Sequence, residues 1–449
     1  MAEIRPFHAL RFDSSKVKPA DVLTQPYDKI TAAMQDAYYR RSPYNLVRFE
    51  LGKSEAGDNP SSNVYTRAAD FLRQVQRDGV LGRDPKPGMY AYVQRFASPA
   101  QPDKPLRRTG VIALGRIYDY EDGVVFRHEQ TLAKPKADRC NLLQATRTHS
   151  GQLFMIYEDA KNEIENIICR AVANREADES VVDEYGVENL LWRIDDPEVV
   201  ERVVGAMRDK RLIIADGHHR YETAREYRDA CRANSSDRNA SHEFVMMTLI
   251  NMNSSGLVVL PTHRVVYGIE GFEVEQLTRQ LQEFCELKRT SNSGAMLLAE
   301  LVEMGQGGTA FGVVTANGRF LARVRTLLLA QPPLVPASPR GKADDLAGNA
   351  AALDWQLDVV LLHEIVLRRI LGISPEAVRE QRNVRYFRSA DEAIQQVAGG
   401  ADAAFLLNPV SLTVMRDLCY AGRVMPQKST DFYPKLLSGL ALDDLDQCF

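Results

Sequence analysis

The segment Asp216-Gly217-His218-His219-Arg220 joins a short apolar run at residues 211–215 to a stretch of helical spacing at residues 221–233. The apolar run predicts a strand, and the spacing after it predicts a helix. The five residues between them therefore form a turn at a helix N-terminus. Such a terminus carries unpaired backbone N–H groups and a partial positive charge, so it favours an anion. We expect an anion site here, within an α/β fold.

The residue types of this turn favour phosphate as the anion. Gly217 has no Cβ to keep a phosphate oxygen away from the backbone. Arg220 offers a bidentate fork, and His218 and His219 add donors whose charge can follow the substrate. Asp216 only accepts hydrogen bonds, so it would repel phosphate unless it binds a metal ion or orients a histidine. The turn predicts a phosphate cradle with a Mg²⁺ site at Asp216.

Two other interpretations use the same residues. One is an ordinary Asp-Gly turn that caps a helix, with solvated side chains beyond it. The other is a metal-dependent hydrolase that uses His218, His219 and either His128 or His263. Adjacent side chains on a helix point roughly 100° apart, unlike the histidines of H-E-x-x-H, which disfavours zinc.

A second cluster lies at residues 127–147, where basic side chains are dense. They are Arg127, Lys134, Lys136, Arg139 and Arg147. Together with His128 they suit the binding of a polyphosphate, while Glu129 or Asp138 could act as a general base or a metal ligand. The alternative is a solvated, charge-balanced loop.

A third cluster lies near the C-terminus, at residues 425–435. Its two prolines preclude a regular helix, and its aromatic and basic groups, among them Lys428, could line a ligand pocket. We expect residues 420–437 to return to the site, although a terminus packed over the core would carry the same residues. Pro261-Thr262-His263-Arg264 is a weaker candidate.

Composition sets the class of protein. The length of 449 residues favours two or three domains, and we place a boundary near residue 270, giving domains 1–270 and 271–449. With 45% hydrophobic and 26% charged residues and a net charge of −4, the chain is globular, with no bulk attraction to nucleic acid or membrane. Scattered cysteines, no secretory signal and no long apolar run predict a cytoplasmic protein with reduced thiols.

Periodicity predicts strands at residues 4–12, 44–49, 88–96, 108–118 and 244–251, and helices at 63–79, 161–173 and 199–209. Walker-type, Rossmann and nucleophile-elbow motifs are absent from the sequence.

Five ordered segments resemble a bacterial and archaeal family catalogued as domain of unknown function 1015, whose name implies no activity. The segments are Pro26-Tyr27-Asp28, residues 127–139, residues 216–221, residues 260–264 and residues 425–435.

The turn at Asp216–Arg220 is also similar to the phosphate-binding turn of the ParB/sulfiredoxin fold, and free-serine kinases of that fold carry the same five letters. This resemblance implies a ParB/sulfiredoxin-like core with large insertions in residues 1–270, followed by a C-terminal α/β domain. It implies that Gly217, His218, His219 and Arg220 contact phosphates and that Asp216 lies near a metal or the attacking hydroxyl. Glu129 and Asp28 are candidates for the kinases' catalytic glutamate.

The resulting hypothesis is Mg²⁺-dependent phosphotransfer, or related phosphate-ester chemistry, on a small hydroxylated metabolite, with serine-like compounds first. The nucleotide would be ATP, ADP or CTP. The alternative is a ParB-like switch, in which nucleotide binding closes a homodimer whose partner is DNA or protein. The acidic net charge counts against DNA.

Overall fold

A computed structural model describes residues 2–99, 101–129, 133–325 and 357–446, with the side chains of 101 and 133–136 left out. The chain divides into two compact units. Unit 1 comprises Met1–Arg127, Thr131–Val258 and Phe432–Phe449, and unit 2 comprises His128–Gln130 and Val259–Asp431. Both units combine helices with sheets, so the α/β class with mixed sheets is confirmed.

The strands of the described chain are, in order, β1 (Ile4–Arg5), β2 (Leu10–Phe12), β3 (Leu81–Arg83), β4 (Met89–Ser98), β5 (Gln101–Arg116), β6 (Val125–Arg127), β7 (Thr148–His149), β8 (Leu153–Tyr157), β9 (Glu179–Val182), β10 (Glu188–Ile194), β11 (Leu212–Asp216), β12 (Phe244–Asn251), β13 (Val258–Leu260), β14 (His263–Val266), β15 (Cys285–Thr290), β16 (Ala310–Thr315), β17 (Gly318–Val324), β18 (Val384–Phe387), β19 (Ala403–Leu407), β20 (Asp431–Tyr433) and β21 (Asp443–Asp444).

The α-helices are α1 (Pro19–Val22), α2 (Ala32–Arg41), α3 (Val47–Glu50), α4 (Val64–Arg77), α5 (Ala133–Thr146), α6 (Glu163–Val172), α7 (Pro197–Met207), α8 (His218–Arg232), α9 (Val274–Phe284), α10 (Gly294–Gln306), α11 (Asp358–Leu361), α12 (Pro375–Arg379), α13 (Ala390–Ala398) and α14 (Leu412–Tyr420). A π-helix, Leu362–Ile370, continues α11. None of the helices in the described ranges is long and apolar enough to span a membrane.

Unit 1 is built on a mixed sheet with the strand order β6-β11-β8-β12-β5-β4-β10-β9, and β1 pairs with β5. All eight residues of β12 are buried, as expected for a central strand covered on both faces. Strand β11 runs parallel to β6, with Ile214 opposite Arg127. The carboxyl ends of β6 and β11 therefore lie at the same edge of the sheet.

Short pairings attach the C-terminal residues to unit 1. Strand β21 pairs with β7, with Asp443 opposite His149. The backbone of Leu442 exchanges hydrogen bonds of 2.9 and 3.0 Å with Leu10. Residues 442–444 are thus part of the fold of unit 1.

Unit 2 is built on an antiparallel sheet with the order β15-β17-β16-β19-β14-β18. Its core includes Leu297 and Leu301 of α10, Ala393 of α13, and Leu321 and Leu406 of the sheet. The spacing of these helical residues places them on one face, which explains why α10 and α13 pack on this sheet.

Two predicted elements are wrong. Residues 44–49 contain the helical turn α3 rather than a strand, because the side-chain oxygen of Asn45 accepts a 3.0 Å hydrogen bond from the N–H of Val47 and starts the turn. Residues 4–12 form two strands in different sheets, β1 and β2, separated at Pro6, which has no N–H to donate.

Candidate functional site

The turn after β11 has the geometry of an open helix N-terminus. The pairing of β11 with β8 shifts register between Ile214 and Asp216, a bulge that redirects the strand end. Gly217 follows with φ of +93° and is the N-cap of α8, so no side chain caps this helix. A Cβ on Gly217 would lie 3.0 Å from Leu153 and 3.1 Å from Arg220. The conformation and the close packing both require glycine.

Arg220 lies over the backbone that precedes β8. Its Nη1 donates to the carbonyl of Gln152 at 2.7 Å, and its Nη2 donates to Asp216 Oδ2 at 3.4 Å. A Cβ on Gly151 would lie 2.7 Å from Nη1, so Gly151 leaves the space that the guanidinium fills. The side chain of Arg220 keeps 15% of its surface exposed, which leaves it accessible to a ligand.

Asp216 is surrounded by cations. Lys435 Nζ lies 3.3 Å from its Oδ1, and the Lys435 side chain is 9% exposed. Burial alone would raise the pKa of Asp216, but Lys435, Arg220 and Lys29 outweigh it and hold the pKa below its ordinary value. The ionised Asp216 carboxylate therefore lies among three cations, beside a helix N-terminus. An anionic ligand would find an excess of positive charge there.

Tyr27 and His149 border this centre as neutral groups. Burial raises the pKa of Tyr27 to about 12, although the charge of Arg220 opposes that rise. Burial, reinforced by Arg220, lowers the pKa of His149 to about 4. Asp28 is exposed in the same short turn as Tyr27, a 3-10 helix at Tyr27–Lys29.

The basic site residues predicted at residues 127–139 of unit 1 have different surroundings. The guanidinium of Arg139 lies 4.3 Å from the Tyr27 ring, donates to Asp138 at 2.6 Å and donates to the Glu50 carbonyl at 2.9 Å. Arg139 therefore already has protein partners. Arg127 is exposed, with its guanidinium 5.0 Å from the ring of Tyr120. The side chains of Lys134 and Lys136 lie outside the described residues.

His128, Glu129 and Lys428 come together in unit 2. The Glu129 carboxylate accepts hydrogen bonds from the backbone N–H groups of Lys428 at 3.2 Å, Ser429 at 3.0 Å and Thr430 at 3.3 Å. Buried His128 places Nε2 2.7 Å from the Thr430 hydroxyl. Glu129 thus holds the loop at residues 428–430, and a catalytic role for it stays a prediction.

The described residues give little support to a metal site. Within them, no group of three or more His, Cys, Asp or Glu side chains could hold a metal ion. His218 and His219 are half-buried on the first turn of α8, and His263 accepts a 3.2 Å hydrogen bond from the N–H of Leu407. Both carboxylate oxygens of Asp216 have cationic partners, Arg220 and Lys435, and a Mg²⁺ ion held by Asp216 stays a prediction.

Lys435, Lys29 and His149 are not among the site residues expected from the sequence. Lys435 is 219 residues from Asp216 along the chain, and no periodicity in the sequence connects the two. Lys435 belongs to the segment at residues 425–435, whose aromatic and basic groups were expected to line a ligand pocket, and this expectation was the available signal.

The fold and the turn define a mixed α/β protein with a cation-lined helix N-terminus. The chain belongs to the family described as "Protein of unknown function (DUF1015)", whose profile matches residues 4–359. The family predicted from the sequence is confirmed, and the segment at residues 425–435 lies beyond the matched range. No curated protein matches the chain.

Several solved structures are distantly similar. A free serine kinase variant in complex with ADP has 12% identity and a TM-score of 0.35, covering 74% of this chain and 92% of that one. A conserved hypothetical protein from Pyrococcus furiosus has 11% identity and a TM-score of 0.35, with 75% and 96% covered. SbnI with a C-terminal truncation, from Staphylococcus aureus, has 9% identity and a TM-score of 0.33, with 75% and 89% covered. Likenesses at these TM-scores assign neither an activity nor residue roles to this chain.

Proposed function

We propose that this protein transfers a phosphoryl group from a nucleotide to the hydroxyl of a small metabolite, with serine-like compounds as the first acceptors to test. The observation that carries this proposal is the centre at the Gly217 turn, where Arg220 and Lys435 both contact Asp216. Phosphoryl transfer requires positioning and charge neutralisation more than covalent chemistry, and this centre offers both.

In the proposed reaction the phosphate replaces Asp216 as the ion-pair partner of Arg220 and Lys435. Arg220 and Lys435 would bind the transferred phosphoryl group, as would the backbone N–H groups at the start of α8. Asp216, released from its ion pairs, becomes a stronger base and takes the proton of the acceptor hydroxyl. The hydroxyl oxygen bonds to phosphorus while the bond to the nucleotide breaks, and the shortened nucleotide leaves.

The test is nucleotide turnover by the purified protein with ATP, ADP or CTP and a panel of hydroxylated acceptors, with products followed by ³¹P NMR and mass spectrometry. We expect turnover to require an acceptor. Arg220→Ala should lower kcat/KM roughly 100- to 1,000-fold, the usual loss for one charge-stabilising donor. The exposed Arg202 of α7 supplies a control, and Arg202→Ala should leave turnover unchanged.

Two results would contradict the proposal: turnover that ignores every acceptor, or turnover that survives Arg220→Ala. Slow hydrolysis stimulated only by a macromolecule would instead support the ParB-like switch.

A further inference from the structure

Arg108 is a buried cation in the middle of β5. The residue is 1% exposed, and burial lowers its pKa to about 9. Among the described residues no carboxylate forms an ion pair with it. A charge buried in this way is costly, and an apolar side chain of similar volume would serve stability as well or better. The guanidinium therefore calls for an explanation other than stability.

Its donors are directed at the backbone of the segment Tyr433–Lys435, named here the return segment. Arg108 donates to the carbonyls of Tyr433 at 3.0 Å and Pro434 at 2.5 Å. Gln94, directly opposite Arg108 in the β4–β5 pairing, accepts from Arg108 and donates to the Lys435 carbonyl at 2.9 Å. Two buried side chains thus hold three successive carbonyls.

The return segment delivers Lys435 to Asp216. The guanidinium of Arg108 also lies 4.8 Å from the ring of Phe154, which packs 5.5 Å from the ring of Phe432. Phe154 is the residue opposite Asp216 in the β8–β11 pairing. Arg108 is therefore fixed both to the segment that carries Lys435 and to the strand next to Asp216.

We propose that Arg108 is a positioning residue of the centre at the Gly217 turn. Arg108 holds the return segment so that Lys435 reaches Asp216 and an incoming phosphate. This inference rests on the proposed function for its kinetic consequence. Its structural part, the placement of Lys435, can be measured without any turnover.

A double-mutant cycle with Arg108→Met and Lys435→Met tests the kinetic part. Arg108→Met should lower kcat/KM roughly 10- to 100-fold, the effect of misplacing a group by about 1 Å. Lys435→Met removes the cation itself and should lower kcat/KM roughly 100- to 1,000-fold. Because Arg108 acts through Lys435, the double variant should lose no more than Lys435→Met alone. Losses that multiply would overturn the proposal, since a merely structural role predicts independent effects.

Acetylation of lysines by acetic anhydride, followed by mass spectrometry, tests the placement of Lys435. In the natural protein Lys435 should be acetylated slowly. In Arg108→Met the acetylation rate of Lys435 should approach that of the exposed Lys161. Gln94→Met, which removes the bond to the Lys435 carbonyl, should act in the same direction and replaces Arg108→Met if that variant does not fold. Unchanged Lys435 labelling in a folded variant would overturn the proposal.

Arg228→Met is the matched control. Arg228 is equally buried and donates to the Ile117 carbonyl at 2.9 Å, far along α8 from the turn. This variant should lower the melting temperature without changing Lys435 labelling. If the natural protein transfers no phosphate to any acceptor, the proposed function fails, while the labelling result still decides the role of Arg108.

Discussion

Asp443 is a second buried charge-bearing group, and it shows how a single residue can make stability depend on pH. It is 1% exposed, and within the described chain neither of its carboxylate oxygens has a hydrogen-bond partner. Burial, reinforced by the charge of Asp444, raises its pKa to about 8. A carboxyl group without partners is better accommodated in its neutral form, so Asp443 should be largely protonated at pH 7.

The sign of the pH dependence follows from this raised pKa. The stability contributed by the bound proton is full below the ordinary pKa of 3.8 and is lost as pH rises through about 8. Asp443→Asn cannot ionise, so its free energy of unfolding should fall less between about pH 5 and pH 8 than that of the natural protein. The difference in slope can reach about 1.4 kcal/mol per pH unit.

Urea unfolding at several pH values measures this slope. Asp446→Asn is the control, because that side chain is 61% exposed and its ion pair with Arg147 should contribute little. Equal slopes for the natural protein and Asp443→Asn would show that Asp443 is ionised in the folded state.

At the residue scale, the sequence indicates the residues that are neighbours of the turn along the chain better than those that reach it from distant segments. Arg220 was recognisable because it stands on the first turn of a helix behind a glycine. Arg108 was not recognisable, because its role depends on pairings between distant strands. Lys435 was indicated only as one of the basic groups of residues 425–435 that were expected to line a ligand pocket. The sequence alone does not distinguish a buried arginine from an exposed one.

At the element scale, comparing Gly217→Ala with Gly123→Ala distinguishes the cost of backbone strain from an effect on the geometry of the site. A non-glycine residue with positive φ costs roughly 1–2 kcal/mol. Gly123 has φ of +65° with nothing within 4 Å of a built Cβ, whereas a Cβ on Gly217 would lie 3.1 Å from Arg220. Gly217→Ala should therefore lower the free energy of unfolding at least as much as Gly123→Ala, which adds backbone strain alone.

Only Gly217→Ala should also weaken nucleotide binding, because it moves Arg220 away from its place over the turn. Chemical denaturation and calorimetric nucleotide titration measure the two effects. If both variants bind nucleotide as the natural protein does, the turn is only a helix cap.

Elements whose pattern reflects their own burial were predictable. Strand β12 matches the predicted residues 244–251, since a run buried on both faces is apolar throughout. Helix α4 falls within the predicted 63–79, because its apolar residues repeat at helical spacing. The turn α3 was missed because one hydrogen bond, accepted by the side-chain oxygen of Asn45 from the N–H of Val47, outweighs the apolar pattern of residues 44–49.

At the scale of the whole molecule, the C-terminal residues are structural members of unit 1. The buried large apolar side chains of this stretch are Phe432, Leu436, Leu437, Leu440, Leu442 and Leu445. Burying one such side chain contributes about 1.5–3 kcal/mol, so together they contribute roughly 9–18 kcal/mol. This sum is comparable with the entire stability of a typical domain, about 5–15 kcal/mol.

A chain that ends at Asp431 should therefore lose the cooperative unfolding of unit 1. For the same reason the fragment 1–270, which is the domain predicted from the sequence, should not fold by itself. Near-UV circular dichroism and thermal melting measure this, and a peptide of residues 432–446 added in excess should restore the transition by mass action. Lys435→Ala in the full chain is the control, because it removes the cation of the centre and keeps all six apolar side chains. A truncated chain that melts at the natural temperature would mean that unit 1 is complete without its C-terminal segment, and that this segment serves the site alone.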